Sequence, residues 1–169
     1  MKIEIKRSAK RKKTVSARLV GNTLIVRAPV RISQNELESI IEKLRMRFEN
    51  KHRKETLNNS ENLGSIANNL NRKYFNGLAK FKSIKYVTNQ NQRFGSCTPL
   101  GETIRISDKM ASLPKWVRNY VIVHELAHLL IPNHGKKFWS LVNRYPLTER
   151  ARGYLMALGW LEEGGNIEK

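Results

Sequence analysis

Hydrophobic and polar positions alternate through the N-terminal segment Thr14-Val15-Ser16-Ala17-Arg18-Leu19-Val20 and again through Thr23-Leu24-Ile25-Val26-Arg27-Ala28, with Gly21-Asn22 between them and Pro29 after them. Period-two alternation around a two-residue glycine turn predicts a β-hairpin, with a further strand expected at Lys2–Lys6. Beyond Pro29 the period lengthens. Ser33 stands three residues before Glu36, and Leu37, Ile40, Ile41, Leu44 and Phe48 recur at helical spacing, which predicts a capped helix to about residue 57. The polar run Asn58-Asn59-Ser60-Glu61-Asn62 reads as a loop, and Ile66, Leu70, Tyr74 and Phe75 mark a second helix ending near Asn76-Gly77.

From Phe81 the alternation returns, with Ile84, Tyr86 and Thr88 on one side, followed by a polar bend, Gly95-Ser96-Cys97, and a short strand at Thr103–Ser107. Pro114 opens a helix whose apolar positions Val117, Val121, Ala127 and Ile131 run down one side, and Pro132 closes it. Helices at about 136–144 and 148–158 follow, with a frayed tail around Gly164-Gly165-Asn166. The expectation is an α+β fold in which a small antiparallel sheet packs on helices. It forms one domain over residues 1–169, with a basic hairpin at about 1–31 and a core at about 80–160.

Composition narrows the class. The 169 residues carry 40% apolar side chains, enough for a core and too many for a disordered polycation. No apolar run approaches a bilayer span, and the charged start Met1-Lys2-Ile3-Glu4 precedes no apolar signal region, so export and membrane insertion are not expected. Cys97 is the only cysteine and has no disulfide partner within the chain, which fits a reducing cytoplasm. The formal charge is +18, and half of that excess lies in residues 1–31, densest at Lys10-Arg11-Lys12-Lys13. A surface of this kind attracts polyanions, and nucleic acid is the first such partner to consider.

Three of the four histidines fall within His124-Glu125-Leu126-Ala127-His128-Leu129-Leu130-Ile131-Pro132-Asn133-His134. Residues four apart share a helix face, so His124 and His128 direct two imidazoles at one point, as a tetrahedral zinc requires. Glu125 lies one step round, placed to take a proton from an activated water. Two candidates exist for the third ligand. His134 lies just beyond a turn made by Pro132-Asn133, a spacing shared with metzincins, although Ile131 replaces their turn glycine and no Met-turn is evident. Glu149 is the downstream carboxylate that a thermolysin-like arrangement would use. Zinc's preference for imidazole favours His134. Cys97 as the lone thiol argues against a closed structural site.

The ordered blocks Arg93-Phe94-Gly95-Ser96-Cys97, Thr103-Ile104-Arg105-Ile106, Leu113-Pro114, Val121-Ile122-Val123-His124-Glu125-Leu126-Ala127-His128-Leu129, Asn133-His134 and Phe138-Trp139 resemble the YgjP-like metallopeptidase domains, relatives of the SprT and WLM zinc proteases. The basic segment from Arg11 to Pro29 is similar to the start of that family. The resemblance implies zinc held by His124, His128 and His134, with Glu125 as catalytic base. Two departures are a shortened middle region and Phe94 in place of the usual tryptophan.

Other residues admit two uses. Arg93 suits a substrate carboxylate or a structural contact. Gly95-Ser96 suits close backbone approach to the helix or to an extended peptide at a strand edge. Tyr86, Tyr145 and Tyr154 are candidate oxyanion donors, Cys97 a small hydrophobe, and Trp116, Phe138, Trp139 and Trp160 core aromatics. The resulting expectation is a zinc-dependent metallopeptidase acting on peptides or proteins. The alternatives are a basic nucleic-acid-associated module, including a DNA-linked protease, and a metal-dependent hydrolase of non-peptide substrates.

Overall fold

The computed structural model describes residues 2–158, so the expectations for the tail and for Trp160 lie outside the described residues. The chain divides into two compact units, Met1–Arg53 and Lys54–Lys169.

In the first unit, β1 (Lys2–Ser8), β2 (Ser16–Val20) and β3 (Thr23–Pro29) form a sheet in the order β1-β3-β2. Gly21 takes φ +58° in the β2–β3 turn, a left-handed conformation that glycine adopts without strain. Leu24, Val26 and Ala28 point to one face of β3 and bury against Leu37 and Ile41 of helix α1 (Gln34–Ser60). Ser33 Oγ accepts from Glu36 N at 3.3 Å, the expected N-terminal cap.

Helix α1 continues through the polar residues that read as a loop. Asn58 explains this: its amide clamps the Tyr86 backbone, accepting from Tyr86 N at 2.9 Å and donating to Tyr86 O at 3.1 Å. Only Glu61-Asn62 separates α1 from α2 (Leu63–Phe75), and Asn62 Oδ1 caps α2 by accepting from Ser65 N at 2.9 Å.

The second unit holds β4 (Ser83–Val87), β5 (Gly95–Thr98) and β6 (Thr103–Ser107) in the order β4-β6-β5, then α3 (Lys115–His128), α4 (Lys136–Val142) and α5 (Thr148–Ala157). The α+β class stands. The sheets are mixed rather than antiparallel throughout, since β1 runs parallel to β3 and β4 parallel to β6. Helix α3 is central: Val117, Val121, Ile122, Val123, Leu126 and Ala127 are buried, sharing one core with Phe75, Ile84, Tyr86, Ile104, Ile106, Phe138 and Leu155. Its buried Arg118 pairs with Glu61, whose other oxygen accepts from Tyr86 Oη at 2.6 Å, so the charge enters the core with a partner. Among the described residues, no helix is long and apolar enough to cross a membrane.

Candidate metal centre

His124 and His128 lie on the last two turns of α3, and the chain closes that helix with Leu130 N and Ile131 N both bonding back to Ala127 O. Pro132 cannot extend a helix, and the turn it enforces returns His134 to the pair. The Nε2 atoms of His128 and His134 each lie 3.2 Å from His124 Nε2. Ligand atoms of all three residues fall within 4.8 Å of one another. Nitrogens bonded tetrahedrally to one zinc at about 2.0–2.1 Å would stand roughly 3.3–3.4 Å apart. The two separations from His124 come close to that spacing.

The donor set fits a cation in its protonation as well. Burial first, then the nearby charges of His128, His134 and Arg152, hold His124 down at about 3, and burial lowers His128 too. Both rings are therefore neutral near pH 7 and keep a lone pair for a metal. His128 Nδ1 donates to Pro132 O at 3.1 Å, which fixes the tautomer that leaves Nε2 unprotonated. Phe138 packs its ring against all three imidazoles at 4.5–4.9 Å, giving the cluster an apolar wall.

Glu125 follows His124 on α3 and is buried. Burial pushes its carboxyl up to about 8, against the pull of Arg93. Its side chain lies flat against β5: a Cβ added at Gly95 would come within 2.7 Å of Glu125 Oε1 and 2.8 Å of Cγ. Glycine at 95 is what lets strand and carboxylate approach so closely.

The other sequence candidates separate cleanly. Glu149 sits on α5, largely exposed, with both carboxylate oxygens accepting from Arg152 Nη1 at 2.9 and 3.1 Å, and it is not part of the histidine group. Cys97 is half-buried on β5, its thiol pushed up to about 12 by burial and then by Glu125, so it stays protonated at neutral pH. Tyr86 Oη is committed to Glu61, Tyr145 Oη donates to Trp116 O at 2.9 Å, and Tyr154 packs on Trp116. The tyrosine that does neighbour the site is Tyr120, with its ring centroid 6.1 Å from that of His124. Its place one turn before His124 was the available signal, masked by its resemblance to an ordinary core aromatic. Trp116, Phe138 and Trp139 pack on the core as expected.

In this α+β unit two imidazoles and a buried glutamate on one central helix join a third imidazole from beyond its end, a donor arrangement of the kind found in the metallopeptidase class. The chain belongs to a particular family of that class: the model of the YgjP-like, metallopeptidase domain matches residues 61–157, more than half of its length. Membership makes it a metallopeptidase with a metal ion as cofactor and peptides or proteins as substrates. The basic N-terminal hairpin lies outside the matched residues. Among solved structures the chain is similar to the crystal structure of the metallopeptidase zymogen of Pyrococcus abyssi abylysin, at 18% identity and a TM-score of 0.47, covering 57% of this chain and 91% of that one. No curated protein matches the chain.

Proposed function

We propose that the protein is a zinc-dependent peptidase in which His124, His128 and His134 hold the ion and Glu125 is the general base. The observation that supports this most is the 3.2 Å spacing of the imidazole Nε2 atoms beside a buried carboxylate. When bound, zinc supplies a Lewis acid for the scissile carbonyl and lowers the pKa of an attacking water. Proximity of that cation favours the ionised form of Glu125, offsetting its burial. Glu125 then accepts the water proton on a carboxylate oxygen and passes it to the leaving amine. Phe138 keeps bulk water off the histidines, and β5 offers an open edge for the substrate.

That edge has a defined polarity. Phe94 O accepts from Ser107 N at 2.7 Å, and Ser96 pairs with Arg105, so Gly95 and Cys97 turn their backbone groups away from β6. An extended peptide pairing with Gly95 and Cys97 would run beside Glu125. Gly95→Ala tests this geometry. The methyl group must displace the Glu125 carboxylate, so kcat is expected to fall about 100-fold, as misplacement by roughly 1 Å does, with bound zinc unchanged. Parental kcat in a folded Gly95→Ala protein would remove the carboxylate's position from the mechanism.

A second reading concerns the first unit alone, where fifteen Lys/Arg stand against five Glu in residues 1–53. The sheet register puts Lys6 beside Arg27, and Lys2 and Arg18 on that same outer face, with only Glu4, paired to Lys6 at 3.2 Å, to balance them. Phe48 is the unit's one aromatic residue and packs on its core, so no stacking platform for single strands exists. The face suits the phosphate backbone of a nucleic-acid duplex. Log affinity for duplex DNA is then expected to fall with log salt at a slope of about −3, and Lys6→Ser with Arg27→Ser to reduce that slope by about 2. Binding that ignores salt and both substitutions would dismiss this role.

A further inference from the structure

His124 turns Nε2 toward His128 and His134, which leaves Nδ1 on the other side of its ring. That nitrogen is buried and has no hydrogen-bond partner among the described residues, and the same is true of Tyr120 Oη and Arg152 Nε. These three orphaned atoms belong to one neighbourhood. Tyr120 precedes His124 by one helical turn, with ring centroids 6.1 Å apart. Arg152 reaches in from α5, its guanidinium 4.9 Å over Trp139, whose ring stands 6.0 Å from His124. Arg152 stands close enough to both the His124 and Tyr120 rings for its charge to act on each.

The chemistry of the three atoms is complementary. A neutral imidazole that offers its Nε2 lone pair to a cation carries its proton on Nδ1 and must donate from there; Arg152 Nε–H also donates, and a phenol oxygen accepts. Two donors and an acceptor are the partner set of one buried water, and buried polar groups left without any partner are rare. Metal-ligating histidines nearly always donate their second nitrogen, as His128 does here to Pro132 O. His124 lacks a protein acceptor for that purpose among the described residues.

We propose that Tyr120 is a positioning residue of the metal centre: its hydroxyl accepts a hydrogen bond from a buried water that in turn accepts from His124 Nδ1–H and Arg152 Nε–H. The link fixes the tautomer and ring angle with which His124 presents Nε2 to the ion. It also gives Arg152 a role apart from its ion pair with Glu149. The inference rests on His124 being a metal ligand, and its test separates the two claims.

Tyr120→Phe deletes one oxygen and preserves the ring. Zinc affinity measured by competition with a chelator is expected to weaken 10–100-fold. The melting temperature of the metal-free variant should change little, because the ring stays in place and a single hydrogen bond to the buried water is lost. A role confined to packing would do the reverse, lowering the melting temperature and sparing the affinity, and that result overturns the proposal. So does parental zinc affinity in Tyr120→Phe. His124→Ala serves as the reference: if it too keeps parental affinity, the metal assignment beneath the proposal fails, whereas loss in His124→Ala with none in Tyr120→Phe rejects the positioning role alone.

Discussion

Glu125→Gln is expected to retain stoichiometric zinc and to lose 100- to 10,000-fold in kcat for peptide hydrolysis, the range that removal of a positioned general base produces. The amide keeps the volume and shape of the side chain against Gly95, so the fold and the histidine cluster are undisturbed. It cannot accept a proton. The same variant has a second signature in the metal-free protein. The carboxyl titrates near 8 when folded and near its ordinary 4.5 when unfolded. Between those values the folded chain holds a proton that the unfolded chain releases, so this group's contribution to stability is present below about 4.5 and is lost as pH rises through 8. Glutamine has no such loss. Metal-free Glu125→Gln should therefore melt close to the parent at pH 5 and progressively above it toward pH 8. His124 and His128 are common to both proteins, so their titration cancels from the difference. Undiminished hydrolysis in Glu125→Gln would assign the proton transfer to another group, and a melting difference independent of pH would contradict the burial argument.

His134→Ala carries the second large effect. Loss of one of three imidazoles should weaken zinc by more than the 10–100-fold typical of a lost supporting hydrogen bond, and hydrolysis should fall with zinc occupancy. Glu149→Ala should leave zinc affinity unchanged, because that carboxylate faces solvent and bonds Arg152 rather than joining the histidines. Chelator competition on the two variants decides between them. Zinc retained in His134→Ala and lost in Glu149→Ala would exchange the ligands.

The sequence spoke most clearly where chemistry and period coincide. His124 and His128 share a face because of helical spacing, and Pro132 foretold the turn that brings His134 to them. The alternative Glu149 was equally readable as a residue, but its distance from the site depends on how α5 packs on α3, which no local pattern encodes. Strand direction was hidden for a similar reason. Alternation in β1 and β4 identifies strands without saying which neighbour they join, and both pair in parallel with the third strand of their sheet. The polar residues 58–60 misled because their polarity serves a distant clamp: Asn58 satisfies the Tyr86 backbone rather than a loop. Glycine 95 was legible as a close approach, while its partner, the Glu125 carboxylate, emerged only with the coordinates of both. The signal for Tyr120, its place one turn before His124, was masked because a tyrosine on an apolar helix stripe looks like core.

X-ray absorption spectroscopy of the zinc-loaded protein reaches the central assignment most directly. Three imidazole nitrogens and one further light atom at about 2.0–2.1 Å, with no sulfur, are the coordination sphere expected of a catalytic site with one open position. A sulfur shell at about 2.3 Å, which Cys97 would have to supply, or fewer than three imidazoles around the ion, would contradict it.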